Sequence, residues 1–537
     1  MQTFILRPAI ALTLIAAGVA AQAAHASQFQ PGNLVVSRGV YDNKSSNVQP
    51  GTVLPPNCAS TQGGCAAATG ATNDGTFPYV FNNALYDSSF GITARAFLDQ
   101  ITPDGQPVNT LEVPNSMNPG QGGDQMVTSF SSKSEMALNR STDGKYLTFM
   151  GYVAPVNTID VSNSNTPGAV DPTNPVGENV YRAVARVDEN GQFKFTETNA
   201  YSGNNGRAAI LNNSNGQNII YTSGNAGNGG NPQPNGIVLG AGAQVMDGSS
   251  QHEAQQTPGT PTPIGSFSVT ELGAKADKIG KDDNFRGLTI FNNVLYYTKG
   301  SGGNGVNTVY FLDTTGTACP NGVGVPAPNA TLPTQPLTYS AATLQANGLP
   351  SNMCVLRGFP TTSNKTTNPT HFPFGLWFAD ANTLYVADEG DGAGGSTLYT
   401  HAATQTLAGL QKWVYNATTQ AWALAYTLQN GLNLGQPYTV NGYPTGTNMA
   451  TGLPWAPATD GLRNLTGQVE SDGTVMLWAI TSTVSGSGDQ GADPNKLVAI
   501  RDLLKNTTAP GAQEQFVTVR SAGFAEVLRG VSFTPTH

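Results

Sequence analysis

One short pattern recurs along this chain and limits the folds that are open to it. The stretch FGLWFADANTLYVADEGDG, which begins at Phe374, contains an apolar strand, a polar turn, a more apolar strand and a glycine-rich loop. Similar stretches surround Met136, Arg207, Phe285 and Leu462. Asp, Asn, Ser and Gly tolerate left-handed backbone or bond to their own backbone, so each stretch predicts a β-hairpin.

A second hairpin is expected in each copy of the pattern. These hairpins begin at Ala94, Tyr181, Thr308, Leu410 and Lys496, and the copy after Arg207 uses the stretches NGIVLGAGAQVM and GSFSVTEL. Two hairpins make a four-stranded unit. Repeated four-stranded units are typical of the blades of a β-propeller.

The two ends of the chain supply the remaining blade. The final stretch VLRGVSFTPTH contains only a first strand, while GNLVVSRGVYDN near the start contains a second strand. Pairing of the two would leave no free sheet edge. The sequence therefore predicts an all-β fold, a six-bladed β-propeller closed by pairing of the C-terminal strand with the N-terminal strand. We expect one domain over residues 27–537, with long loops on one face.

The composition agrees with this fold and excludes one class of partner. Only 11% of the residues are charged and 63 are glycine, which favours strands and turns over long helices. The formal net charge is -9, and Lys and Arg form no basic run. We therefore expect no nucleic-acid partner.

The first 26 residues have the features of a signal peptide. Arg7 precedes an apolar stretch of roughly a dozen residues, and Ala24, His25 and Ala26 form an A-x-A cleavage site. The stretch is shorter than the ~20 residues of a membrane span, and no other segment comes close. These features predict a secreted or periplasmic protein without a transmembrane segment.

Four cysteines allow three disulfide connectivities. Local pairing, Cys58 with Cys65 and Cys319 with Cys354, is the expectation, because export permits disulfides. A metal site is the alternative, but the cysteine spacings match no zinc pattern.

The stretch from Pro373 resembles the repeat of NHL-type six-bladed propellers, P-x-G-h-x-h-D-x-x-x-x-h-Y-V-A-D. The matching residues are Pro373, Gly375, Asp380, Leu384, Tyr385, Val386, Ala387 and Asp388. The whole chain also resembles secreted bacterial proteins of uncharacterised function, through LVV-x-R, FLD-x-x-TPDG, SGNN-x-R, TLYVAD and LRxLTG in that order. These resemblances imply the propeller and export, and they imply no activity.

Aligned first strands place one residue per blade at the rim of the central channel. These are Arg529, Glu135, Arg207, Arg286, Phe374 and Arg463. Two cations ~10 Å apart repel by ~0.4–1.7 kcal/mol, so the arginines need partners. Two interpretations remain open: carboxylates such as Asp282, Asp283, Glu135 and Asp460 neutralise them, or several guanidinium groups hold an anionic ligand.

The loops of the two faces differ in length. The long, glycine-rich ones span 43–91, 154–175, 224–235, 300–305, 388–395 and 482–493, on the face where the first strands begin. The opposite turns, such as STDG and FNN, are tight. We expect ligands on the loop-rich face, because rigid blades position variable loops there.

Metal and acid–base chemistry are also possible at this face. Asp388, Glu389 and Asp391 offer oxygen ligands for Ca²⁺, although the loop lacks the spacing of an EF-hand. His371 precedes an inner strand and is the one plausible base at the rim. The sequence contains no G-x-S-x-G and no H-E-x-x-H motif.

Two functions follow as hypotheses. The first is a non-catalytic exported propeller that binds a carbohydrate, a peptide or an anionic ligand, or a protein partner at a cell surface. The alternative is a calcium-assisted hydrolase of lactones or phosphoesters, in which rim carboxylates hold the ion and arginines stabilise developing charge. Carboxylates with perturbed pKa values would favour the enzyme, and acids paired with arginine would favour the binding protein.

Overall fold

The computed structural model forms a ring of six antiparallel sheets. It describes residues 28–52, 73, 75, 91–130, 134–159, 161–162, 164–167, 179–225, 242–248, 252–253, 265–267, 284–300, 306–319, 321–334, 353–363, 370–449, 452–486, 493–511 and 514–536. The predicted signal peptide lies outside them. Within the described residues, no helix has the length and apolar character that crossing a membrane requires.

Each blade has four main strands, which run in order from the inner to the outer strand. Blade I contains Glu526–Phe533, Leu34–Val40, Arg95–Ile101 and Pro107–Glu112. Blade II contains Asn139–Arg140, Tyr146–Tyr152, Arg182–Asp188 and Phe193–Thr198. Blade III contains Gly206–Asn212, Ile219–Gly224, Ala243–Asp247 and Gly265–Phe267.

Blades IV to VI follow the same order. Blade IV contains Phe285–Phe291, Val294–Lys299, Thr308–Leu312 and Met353–Leu356. Blade V contains Pro373–Asp380, Thr383–Asp388, Gly409–Asn416 and Ala421–Leu428. Blade VI contains Ala458–Val469, Thr474–Val484, Lys496–Leu503 and Val517–Ser521.

Short elements extend this pattern. His252–Glu253 and Val323–Gly324 add parallel strands to blades II and IV, and Thr447–Asn448 pairs with Leu453–Pro454. Leu398–Thr404 forms an α-helix, and Gln121–Gly123 and Ser214–Gly216 form 3₁₀ turns. None of these alters the ring.

The predicted closure of the ring is confirmed. Leu34–Val40 pairs antiparallel with Glu526–Phe533, and Val36 lies opposite Val531. Arg38 strengthens the blade by contacting Asp99 and Glu526 at 2.6 Å each, and Arg520 of blade VI reaches the same Asp99 at 2.7 Å. The seam between the two chain ends therefore has both backbone pairing and ion pairs.

The cores lie between neighbouring blades, because each sheet is buried on two faces. Phe149, Tyr385, Trp422 and Trp478 are buried there, as alternation along the strands predicts. Trp377 is only half-buried, because it lies at the wall of the central channel.

A buried polar cluster joins blades V and VI. Lys412 Nζ lies 3.1 Å from Asp502 Oδ2, and neither side chain is exposed. The Asp502 carboxylate also accepts hydrogen bonds from the hydroxyls of Tyr385 and Tyr426. Buried charges require such partners, so this cluster fixes how the two blades pack.

The disulfide prediction is confirmed for one pair. Cys319 and Cys354 are joined, with their Cα atoms 6.0 Å apart. Cys58 and Cys65 lie outside the described residues. The bridge ties the excursion after the third strand of blade IV to its fourth strand.

Candidate functional site

A β-bulge interrupts five of the six inner strands at the position that the sequence alignment singled out. The pairing register with the second strand shifts at Arg207, Arg286, Phe374, Arg463 and Arg529. An extra residue in a strand re-aims its side chain. The repeated bulge therefore explains why one residue per blade leaves the packing pattern of its sheet.

These side chains meet in a buried cluster, which we call the arginine hub: Arg207, Arg286, Arg463, Arg529, Phe374 and Glu135. All six are buried. The guanidinium carbons of Arg286 and Arg463 lie 5.7 and 5.9 Å from the centre of the Phe374 ring. The charges of Arg207 and Arg286, of Arg286 and Arg463, and of Glu135 and Arg529 lie close enough to act on one another.

Several hydrogen bonds of the hub go to neutral groups elsewhere in the ring. Arg207 donates to the Phe285 carbonyl at 2.9 Å, and Arg529 donates to the Ser129 carbonyl at 3.1 Å. Arg286 donates to Ser134 Oγ at 2.8 Å. These bonds tie the inner strands of blades I, III and IV to other blades or to the segment that precedes blade II, which gives the hub a structural role.

Two carboxylates lie at the hub: Glu135, which belongs to it, and Glu389, which contacts it. Arg463 Nε lies 3.2 Å from Glu389 Oε2. Burial raises the pKa of Glu135 to about 7, although the Arg529 charge opposes this shift. Burial, and after it the Arg286 charge, lowers the pKa of Arg207 well below its ordinary value. Asp282 and Asp283 lie outside the described residues, so binding of a ligand at the hub stays a prediction.

The three predicted calcium ligands point to different partners. Asp388 accepts hydrogen bonds from the Phe372 amide and Gln411, and Asp391 Oδ2 lies 2.5 Å from His401 Nε2, while Glu389 contacts Arg463. Burial raises the pKa of Asp388 to about 8. Asp388 and Glu389 are successive residues at the end of a strand, where neighbouring side chains diverge.

Among the described residues, only one group of three candidate metal ligands lies within 4.8 Å. It consists of Asp313, Cys319 and Cys354, and its two cysteines form the disulfide. The structure thus does not bring Asp388, Glu389 and Asp391 together as a metal site. A role for calcium stays a prediction.

His371 is half-buried beside blade V and not in the hub. Its ring centre lies 6.2 Å from that of Trp413. Burial lowers the pKa of His371 to about 4, and a hydrogen bond with Gln411 partly opposes this shift. The side chain is therefore neutral at neutral pH, and its role as a base stays a prediction.

A cavity opens at the other end of the channel, among the tight turns. It has a volume of about 830 Å³. Inner-strand ends, first turns and part of the excursion after the third strand of blade IV line it: Leu138, Asn139, Arg140, Ser141, Thr142, Ile210, Asn212, Ser214, Asn215, Gln217, Thr289, Ile290, Phe291, Asn292, Asn293, Thr331, Leu332, Thr334, Leu376, Trp377, Phe378, Leu465, Thr466, Gly467, Ser532 and Phe533. We call this cavity the channel mouth.

Hairpin geometry places amides at the channel mouth. Asn292 and Asn293 have φ of 47° and 60°, and Asn215 has φ of 55°. Asparagine tolerates this left-handed backbone, so the turn itself favours the residue. Thr142 Oγ1 then bonds to Asn212 Oδ1 at 3.1 Å and accepts from Ser214 Oγ at 2.9 Å. The polar wall is therefore held in one arrangement.

Part of the wall of the channel mouth is apolar and includes the indole ring of Trp377. Trp377 lies against Gly467, where an added Cβ would be 2.8 Å from the ring carbons. Glycine is therefore required for this close packing. Leu138, Ile210 and Leu465 also line the cavity.

A smaller cavity of about 300 Å³ adjoins the channel mouth, and we call it the side groove. Gly32, Gln468, Thr534 and Thr536 line it, and the two cavities share Arg140, Gly467 and Phe533. Both chain ends thus contribute to its wall. Neither cavity was predictable from the sequence, because their walls combine short segments of several blades that are distant in sequence.

No protein-family model and no curated protein matches the chain. Its fold is similar to several solved structures. One is a PL25 ulvan lyase, 11% identical over 91% of this chain and 96% of that one, with a TM-score of 0.29. Another is a Synechocystis apocarotenoid oxygenase, 8% identical over 95% and 94%, with a TM-score of 0.32. A third is an exo-1,5-α-L-arabinanase from a bovine ruminal metagenomic library, 10% identical over 68% and 91%, with a TM-score of 0.25.

These likenesses are too distant to transfer an activity or a ligand. The six-bladed architecture is established by the sheets of the chain itself. The resemblance to NHL-type repeats stays a prediction.

Proposed function

We propose that this protein is an exported, non-catalytic binding protein whose ligand is rich in hydroxyl groups, such as a glycan, and enters the channel mouth. The observation that carries this proposal is the chemistry of the wall. Side-chain amides and hydroxyls surround an apolar floor with one indole ring. Ligand sites commonly combine an apolar surface with a few fixed polar groups.

The size and order of the channel mouth support binding. Its volume of about 830 Å³ lies in the range of ~300–1,000 Å³ that is usual for ligand sites. Hydrogen bonds between Thr142, Asn212 and Ser214 hold the polar wall in place before any ligand arrives. A wall that is already ordered loses less entropy on binding.

The lining residues also support binding rather than hydrolysis at this position. Among them there is no Asp, Glu, His, Cys, Lys or Tyr, and all belong to the described part of the chain. Hydrolysis needs a positioned general acid or base. Arg140 is the single ionisable side chain of the wall, and its guanidinium stays protonated.

Binding to a glycan array, followed by titration calorimetry with the glycans that bind, tests this proposal. Trp377→Ala should weaken binding at least tenfold, since buried aromatic contacts dominate many interfaces, and Trp377→Phe should weaken it less. Phe524→Ala is the control, because Phe524 is 36% exposed and does not line the cavity.

Two outcomes would overturn the proposal. One is the absence of binding to any glycan on the array by folded protein. The other is unchanged affinity in Trp377→Ala when circular dichroism shows a native fold.

A further inference from the structure

Arg140 is distinctive because it lies where the channel mouth and the side groove meet. It lines both cavities and is the only charged residue to do so in either wall. It belongs to the inner strand of blade II, which is only two residues long. A ligand that extends from one cavity to the other must pass this side chain.

The guanidinium group of Arg140 is held by the chain end and by a turn. Its Nη2 donates to the Gly144 carbonyl at 3.2 Å and to Thr536 Oγ1 at 3.0 Å. Gly144 has φ of 78°, and an added Cβ there would clash with Nη2. The cation is therefore positioned by groups that are themselves neutral.

The charge of Arg140 is not balanced by direct contact with an acid. In the described part of the chain, no carboxylate lies within 4.0 Å of its guanidinium nitrogens. Asp143 is the nearest acid in sequence, and its Oδ1 instead accepts hydrogen bonds from Ser141 Oγ and the Lys145 amide. Arg140 Nε is buried and has no hydrogen-bond acceptor.

Arg140 Nη1 donates no hydrogen bond to a described residue, so a ligand in the cavities can supply an acceptor for it. Planar guanidinium groups bind carboxylate and sulfate oxygens through paired hydrogen bonds. The other residues that line the channel mouth are uncharged, although the Asp143 carboxylate lies close enough for its charge to act on Arg140.

We infer that the ligand is an acidic glycan chain, which spans the channel mouth and the side groove and places a carboxylate or sulfate group at Arg140. This inference rests on the proposed function and names the ligand class for the same site. The net charge of -9 works against polyanions at long range, so recognition depends on this one local contact.

Matched pairs of chains test the inference by calorimetry. Oligogalacturonate and its methyl ester differ only in carboxylate charge, and dextran sulfate and dextran differ only in sulfate. Wild-type protein should bind at least one charged member about tenfold more tightly than its neutral partner. That preference should decline with salt.

Arg140→Gln should weaken binding of the charged chain about tenfold more than binding of its neutral partner, and so remove the preference. Arg501→Gln is the matched control, because Arg501 is exposed on blade VI and lines neither cavity. If Arg140→Gln does not fold, Arg140→Lys should keep the salt dependence but lose part of the preference, since lysine lacks the planar fork.

The outcomes separate this inference from the proposed function. Binding of neutral glycans with no preference for either charged chain would overturn the inference and leave the proposed function standing. Equal loss of charged and neutral chains in Arg140→Gln would also overturn it, because the arginine would then only maintain the wall. Absence of all glycan binding would overturn both.

Discussion

Replacing Lys412 by methionine tests how much one buried ion pair contributes to the contact between blades V and VI. Methionine keeps most of the length of the side chain and removes the charge together with its hydrogen bonds to the Tyr426 hydroxyl and the Leu503 carbonyl. Asp502 then loses the ammonium group at 3.1 Å but keeps hydrogen bonds from Tyr385, Tyr426 and the Leu503 amide. The carboxylate therefore stays partly solvated by the protein.

The expected cost follows from this partial compensation. Removing one partner of a buried pair costs about 3–5 kcal/mol. Asp502 keeps three hydrogen-bond donors in Lys412→Met, so we expect the cost of this variant at the lower end of this range, near 3 kcal/mol. Asp502→Asn should cost a similar amount, because Lys412 keeps only the Tyr426 hydroxyl and the Leu503 carbonyl as acceptors.

A double-mutant cycle measured by urea unfolding with tryptophan fluorescence isolates the pair. The double variant should cost about 4 kcal/mol rather than 6, which is a coupling of about 2 kcal/mol between contacting residues. Unfolding entropy of ~2.1 cal/mol/K per residue, summed over a ring of this size, converts 3 kcal/mol into a Tm decrease of about 3 °C.

Additive costs would refute this reasoning. If the two single effects sum to the double effect within about 0.5 kcal/mol, the two charges do not interact across the interface. Tyr385→Phe is a useful reference, because it removes one donor to Asp502 and leaves both charges in place.

Three further predictions concern other parts of the ring. Burial raises the pKa of Asp388 from 3.8 to about 8, so the folded state binds this proton more tightly than the unfolded state. The free energy of unfolding of the wild type should fall as pH rises between these values, by up to ~1.4 kcal/mol per pH unit. The urea midpoint of Asp388→Asn should fall less over the same pH range, and identical pH dependence of the two midpoints would contradict this prediction. Gly375→Ala should cost ~1–3 kcal/mol, because its Cβ would lie 2.6 Å from the Arg463 carbonyl of the next blade, whereas Gly394→Ala, with nothing within 4 Å, should cost little; equal urea midpoints for the two variants would argue against inner-strand contact. The double variant Cys319→Ser/Cys354→Ser should lower the free energy of unfolding by about 4 kcal/mol, because the bridge closes a loop with a sequence separation of 35. Reductant should lower the stability of the wild type by the same amount, and equal stability with and without reductant would contradict this prediction.

The sheets were predictable because local patterns determine them. Turn residues such as Asn292 and Asn293 adopt the left-handed backbone that a tight hairpin needs, and their neighbours alternate as strands. Pairing of the chain ends followed from counting strands. The register of that pairing could not be predicted in this way, because Arg529 forms a bulge that the periodicity of the sequence does not reveal.

The arginine hub and the channel mouth differ in how far the sequence predicts them. Arg207, Arg286 and Arg463 occupy equivalent positions in repeated strands, so their meeting follows from the symmetry of a ring. The channel mouth lacks such a signal. Its walls come from short turns whose residues are explained locally by backbone geometry, and only their arrangement around the axis creates a cavity.

The partners of the carboxylates in the loop after blade V's second strand could not be predicted from the sequence. Asp388, Glu389 and Asp391 are neighbours in the chain, and each contacts a different element. Burial raises the pKa of Asp388 and the nearby Glu389 charge adds to this shift, so the two carboxylates interact although their hydrogen-bond partners differ. Calcium binding by these residues stays a prediction.

The wall of the side groove includes Gly32 from one chain end and Thr534 and Thr536 from the other. A molecule lying in the groove would touch both sides of the seam, and separating the ends would require it to leave. Occupancy and ring opening are then linked by mass action, so saturating ligand should raise Tm and should slow hydrogen exchange of the backbone amides that pair Leu34–Val40 with Glu526–Phe533. Protection of these amides would thus report on binding at the axis of the propeller.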